Sequence, residues 1–196
     1  MDHVDFLRGF YRKAKVQGAD FPNIKFSETN LSQTTRYRIA TYLFNKEAVD
    51  AEDYALTRLL FQEELALRTY VSRHNAWQSY DVDLFYLSAY NLSQYRAIEN
   101  LALFLAAKRI DFDAAIGFDQ EFLLCFEGDD VINYEQEAGT DTSRDQVRRL
   151  KNYFATVPAE EIDRNLSEWS KGKELYFSGF KFPISSDYVK ALLSLT

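Results

Sequence analysis

"DVDLFYLSAYNLSQYRAIENLALFLAAK", Asp81 to Lys108, is apolar at nearly every angle of a helical projection. Phe85, Tyr86, Leu87, Tyr90, Leu92, Ile98, Leu101, Leu103 and Phe104 leave no polar stripe wide enough to face water. A helix that is apolar all round is a buried one, and other helices must cover it. Asp81 suits the N-cap, and Lys108 with Arg109 suit the negative end of the dipole. The expectation is one long helix over 82–108 forming the spine of the fold.

The flanking segments read as its cover. Phe6, Leu7, Phe10, Tyr11 and Ala14 recur at helical spacing from Val4 to Gln17, and Gly18 is a natural stop. Asn30 to Gln33 has the form of a capping box before Tyr37, Ile39, Ala40, Leu43 and Phe44. A third helix is expected from a cap at Asp50 to Trp77 or Gln78. After Ile110 the pattern loosens, and "AIGFDQEFLLCF" (Ala115 to Phe126) fits either a helix from Asp119 or a short strand. Ser143 to Gln146 is a second capping-box pattern, and Pro158 opens a helix through Ile162, Leu166 and Trp169. "ELYFSGFKF" (Glu174 to Phe182) reads as extended, with a short helix after Ser186. Together these predict an all-α single domain over 1–196. Six to eight helices pack around 82–108, with one irregular acidic segment.

Composition excludes several classes of function. The chain of 196 residues is 46% hydrophobic with seven Gly, three Pro and one Cys, so it folds without disulfides or a multi-cysteine metal site. Phosphate-cradling glycine loops, the GxSxG elbow and HExxH are absent. No cofactor and no metal are expected. The start, "MDHVDFLRGF", lacks the bases and apolar run of a signal peptide, and the longest strongly apolar run is "LALFLAA". The expected setting is the cytoplasm, away from any membrane.

Charge is the most uneven property. Residues 111–143 hold ten acids and no base, while the rest of the chain has 23 bases and 20 acids, a net of +3 within a total of −7. No dense basic stripe is present, which argues against direct nucleic-acid binding. "EGDDVINYEQEAGTD" (Glu127 to Asp141) sets Glu127, Asp129, Asp130, Glu135, Glu137 and Asp141 around Tyr134 and Ile132. A focused negative face beside rings attracts a positive partner and then holds it. The expected function is therefore an acidic inhibitor of a basic protein. Its sharpest form is an immunity protein that neutralises a nuclease-type bacterial toxin by occupying its cleft.

Three other groups of residues are candidates for chemistry. On the third helix Leu56, Leu59, Leu60, Leu67, Tyr70, Val71 and His74 share a face with Glu63 near its middle, where a carboxylate needs a partner. "RTYVSRH" places five residues between Arg68 and His74, which resembles the Arg and His pair of the HEPN class of helical ribonucleases. That resemblance implies ribonuclease chemistry at Arg68 and His74. The two stand about 120° apart on one helix, which argues against a shared site within one chain, while a dimer interface could gather them. Arg96 with Glu99 forms a polar island on the central helix, either an ion pair or the floor of a ligand pocket in a regulatory module. Cys125, inside "FLLCF", reads as a small core hydrophobe.

Overall fold

The structure, a computed structural model, describes residues 3–29, 33–46, 51–134 and 141–179. Among them are ten α-helices and no β-strand, as an all-α domain requires. In chain order they are α1 (His3–Gln17), α2 (Thr34–Phe44), α3 (Tyr54–His74), α4 (Val82–Ser93), α5 (Leu101–Ala107), α6 (Phe112–Gly117), α7 (Glu121–Leu124), α8 (Gly128–Asn133), α9 (Asp141–Thr156) and α10 (Ala159–Ser178). The four from α5 to α8 have only 7, 6, 4 and 6 residues. The rest are long helices, and α1 packs on α2, α3 on α4, α2 on α4, and α8 on α9. Helix α7 sits against α4, α5 and α10.

The central position belongs to α4, whose residues Leu84, Phe85 and Leu87 to Ser93 are all buried. The expected single helix over 82–108 is nonetheless broken. After Ser93 the chain leaves the helix, Arg96 takes φ 52°, and a 3₁₀ turn at Ile98–Asn100 restarts the path into α5. The cause is local competition. Ser93 Oγ and Gln94 Nε2 both donate to the Tyr90 carbonyl, at 2.7 and 3.4 Å, and so satisfy the helix end from within.

Other boundaries also differ from the sequence reading. Helix α3 stops at His74 because Asn75 adopts the left-handed conformation with φ 53° that closes a helix. The Asp50 cap and Asn30 of the first capping box lie outside the described residues, while α9 already begins at Asp141 and so contains Ser143. Residues 174–178, expected to be extended, continue α10. Their reason is Phe177, which keeps the spacing of Ile162, Leu166, Trp169 and Lys173 and buries its ring 5.8 Å from Phe44 and 5.6 Å from Tyr90. Asp81 does cap α4, accepting from Asp83 N at 2.9 Å, and Pro158 does precede α10.

Phenylalanine makes the interior continuous. The Phe104 ring lies 5.2 Å from Phe61, 6.2 Å from Phe118, 5.9 Å from Phe122 and 5.8 Å from Phe126, thus joining α3, α5, α7 and the connecting turns. Phe118 and Phe122 approach to 4.5 Å, and Phe122 meets Trp169 of α10 edge-on at 4.9 Å. Ring pairs of this kind add about 0.5–1.5 kcal/mol each beyond the area they bury. Phe104→Ala is expected to lower stability by about 3–5 kcal/mol, as read by urea unfolding; Phe112→Ala, on the surface, is expected to change it by less than about 0.5 kcal/mol.

Candidate functional site

The third helix places two charges in the interior one turn apart. Glu64 rather than Glu63 is the buried carboxylate, with its side chain at 0% exposure. One residue of phase, about 100°, separates the two. Glu63 is only half-buried and accepts from Phe26 N at 2.8 Å. Glu64 receives the Nε of the equally buried Arg36 and, at 2.6 Å, Gln33 Nε2. Gln33 also brackets Asp81, donating to its carbonyl at 2.9 Å and accepting from its N–H at 2.7 Å. Burial pushes the Glu64 carboxyl up, and the Arg36 guanidinium and Gln33 only partly oppose it.

Arg68 is the second interior charge. Its Nη2 donates to Asp111 Oδ1 at 3.0 Å, and its guanidinium lies 5.5 Å from the Trp77 ring, 5.8 Å from Tyr80 and 5.3 Å from Phe85. Burial acts to lower its pKa, but the bond to Asp111 and the neighbouring Tyr80 outweigh that. His74 is on the outside instead. It stacks on Tyr70 at 4.2 Å, and its Nδ1 donates to the Tyr70 carbonyl at 2.9 Å. Arg68 and His74 are therefore not brought together within the chain, as their angular separation foretold. His74 lines an open groove with Phe26, Tyr70 and Arg73, of which Arg68 is not a part.

Arg96 and Glu99 also part company. Arg96 Nε donates to the Cys125 carbonyl at 2.7 Å, and its Nη1 stands 3.1 Å from Glu127. Glu99 accepts from Tyr54 Oη at 2.9 Å, next to buried Asn100. The intrahelical pair is thus replaced by a bridge from Arg96 to the acidic segment. Beside Arg96 is a cavity of about 300 Å³ lined by Ser93, Cys125, Asp163, Leu166 and Trp169 among others. Cys125 is buried, its thiol pushed up to about 12 by desolvation, so no thiolate forms near neutral pH.

The acidic segment is divided, not gathered. Asp119 accepts from Trp169 Nε1 at 2.8 Å and pairs with Lys173 at 2.5 Å, whereas Glu127 meets Arg96 near Asp163. Asp163 and Lys173 are ten residues apart on α10, about 15 Å at 1.5 Å per residue. Asp129 and Asp130 are exposed in the first turn of α8, and Tyr134 is half-buried. Helix α8 abuts α9 so closely that a Cβ on Gly128 would stand 3.1 Å from the Phe154 ring. Glu135 and Glu137 lie outside the described residues, and Asp141 opens α9.

Carboxylates from elsewhere join the first group. Burial, then Asp119, Asp111 and Asp113, push up the Tyr86 phenol, with Arg68 opposing. Tyr176 is pushed up to about 12 by its 2.7 Å hydrogen bond to Asp83, by burial, and by the charges of Asp83 and Asp81. Asp83, with Asp81 near it, thus stands by Tyr176, and Asp111, Asp113 and Asp119 lie near Tyr86, while the Lys173 ammonium is 5.8 Å from the Tyr86 ring and 5.9 Å from that of Tyr176. Sequence reasoning missed this convergence because it joins residues 30 apart in the chain. It also missed Asp53, a carboxylate at 1% exposure that takes Tyr11 Oη, Lys46 Nζ and, at 3.2 Å, Lys15 Nζ, beside a cavity of about 270 Å³. Among the described residues no group of three or more His, Cys, Asp or Glu is placed to hold a metal, and no helix is long and apolar enough to cross a membrane. Comparison with known families, curated proteins and solved structures finds no match for this chain.

Two outcomes test this interior. Arg36→Met leaves Glu64 buried without its cation and is expected to cost about 3–5 kcal/mol near neutral pH, much of which Arg36→Met/Glu64→Leu restores. A carboxyl whose folded pKa is raised supports folding at low pH and ceases to as pH rises through that value. The Arg36→Met deficit, measured by urea unfolding across pH, should therefore shrink as pH falls. Native Cys125 should resist a thiol-reactive dye at mildly alkaline pH and react once the chain is unfolded.

Proposed function

We propose that this chain is a non-enzymatic binding protein that captures a basic protein partner. Its specific form is an immunity-type inhibitor that fills the cationic cleft of a nuclease-type bacterial toxin. The observation that carries the reading is the convergence of Asp81, Asp83, Asp111, Asp113 and Asp119 around Tyr86 and Tyr176, with Lys173 and the buried Arg68 as the cations there. Such a face presents more negative than positive charge next to rings. It accelerates encounter with a cation-rich surface by about 10–10³-fold. The nuclease form follows from the cleft such enzymes use for phosphate backbones. Asp129 and Asp130 add to the field from α8. The ribonuclease alternative has less support, since it needs Arg68 released from Asp111 and turned toward an exposed His74.

A second reading, a small-ligand regulatory module, is favoured by one observation. Arg96 holds a left-handed backbone conformation beside its cavity, and such conformations cluster at functional positions.

The test uses the basic protein that copurifies with the chain or is encoded beside it. Asp83→Asn/Asp113→Asn is expected to slow association by about tenfold at low salt and to flatten its salt dependence. Asp129→Asn/Asp130→Asn is expected to do so by a smaller factor. An unchanged rate and salt slope in both variants removes the acidic-capture reading. A small molecule that binds the native chain and not Arg96→Ala favours the ligand module.

A further inference from the structure

Among the described residues eight large apolar side chains are well exposed, and Phe112 and Ile116 are among the most exposed, at 77% and 70%. They are four residues apart on α6 and so project on one side. Their outward direction is imposed. Asp111 Oδ1 caps α6 by accepting from Ala114 N at 2.6 Å and simultaneously holds Arg68, while Ala114 turns inward to full burial.

Three more of the eight connect to this pair through intervening side chains or chain neighbours. Trp77 lies against Arg68, which holds Asp111, the residue before Phe112. At the other end of α6, a Cβ on Gly117 would stand 3.0 Å from Tyr86 Oη. The Lys173 ammonium lies 5.8 Å from the Tyr86 ring and 5.9 Å from that of Tyr176, which bonds Asp83, the neighbour of Val82. Trp77, Val82, Phe112, Ile116 and Tyr176 thus hang on one connected framework, although three of them come from sequence-distant helices or turns. Phe112 and Ile116, exposed on one side of α6 beside polar groups, are the apolar pair of a candidate interaction site.

The charges around it point to the occupant. Asp83 accepts from the Tyr176 hydroxyl with Asp81 two residues before it, Asp111 and Asp113 stand at the start of α6, and Asp119 pairs with Lys173, which lies by both the Tyr86 and Tyr176 rings. Exposed apolar side chains with carboxylates beside them complement an apolar stripe with basic flanks, the pattern of a cationic amphipathic helix. Nucleic acid and anionic bilayers would be repelled by these same carboxylates. We propose that this face docks a cationic amphipathic helix of a protein partner, with Phe112 and Ile116 as its apolar anchors and Asp81, Asp83 and Asp113 as the carboxylates that meet its bases. The assignment rests on the basic-partner reading above and gives that partner a shape.

The probe is a short synthetic helix of Leu and Lys in amphipathic order, compared with an isomer of identical composition in which the stripe is scrambled. Binding to the full chain is followed by stopped-flow fluorescence anisotropy at low and high salt. The amphipathic peptide is expected to bind about tenfold or more tightly than the isomer. Phe112→Ser/Ile116→Ser should raise its dissociation rate by about 10–100-fold while the salt slope persists, as loss of buried anchors does. Asp83→Asn/Asp113→Asn should instead lower the association rate and flatten the slope. Equal binding of the two peptides, or an unchanged dissociation rate in the serine variant, overturns the docking face. If the charge variant still slows association in that case, the basic-partner reading survives; if it does not, both fall. A concentration-dependent dimer in sedimentation that the serine variant abolishes would assign the face to a second copy and equally overturn the proposal. Circular dichroism checks that both variants keep the fold.

Discussion

Two buried charges one turn apart on α3 organise much of this molecule. Glu64 reaches back to Arg36 and Gln33 on the α2 side, and through Gln33 to the backbone of Asp81, where α4 begins. Arg68 reaches forward to Asp111, where α6 begins. Neither pair is a strong source of net stability, because removing two ions from water costs nearly what their attraction returns. Their effect is on geometry. A buried charge tolerates few positions, so α2, α4 and α6 each have one register against α3 that leaves no ion bare. The aromatic faces around Arg68, from Trp77, Tyr80 and Phe85, share in holding that cation.

The aromatic residues divide along the same boundary. Phe61, Phe85, Phe104, Phe118, Phe122 and Phe126 are interior and pack ring to ring without polar cost. Several tyrosines stand where that interior meets water, with hydroxyls on carboxylates: Tyr54 on Glu99, Tyr90 near Glu174, Tyr176 on Asp83. Carboxylate neighbours and partial burial both favour the neutral phenol, so these hydroxyls stay protonated donors. Surface rings and acids are therefore parts of one layer.

The all-α architecture and the burial of α4 were legible because a segment apolar at every angle has only one place to go. Cys125 in the interior and the cap at Asp81 were legible for similarly local reasons. The rest depended on non-local choices. The break after Ser93 follows from two side chains competing for one carbonyl, which no periodicity records. Glu63 and Glu64 differ by a rotation smaller than the apolar face is wide, so the face alone did not decide between them. The segment 174–178 carries residues suited to strands, yet Phe177 finds Phe44 and Tyr90 only if the helix continues. The acidic run was visible as composition, but its cations, Arg68, Lys173 and Arg96, come from three different places in the chain.

That last point separates two uses of a carboxylate. Asp111, Asp119 and Glu127 are each engaged by a cation and fix α6, α10 and the Arg96 turn in place. Asp113, Asp129 and Asp130 have no such cation among the described residues and face water. Only the second kind projects a net field over the Debye length of about 8 Å, since a paired ion looks from outside like a dipole. Three of the ten acids in 111–143 are paired in this way, so the count of ten overstates the charge that this segment projects. What remains is a moderate field, stronger where Asp81 and Asp83 reinforce Asp113, and weaker on α8, which abuts the arginine-bearing α9. A moderate field can steer but not hold. Retention at such a face has to come from apolar contact, and α6 is where fixed carboxylates and outward apolar side chains are parts of the same short helix.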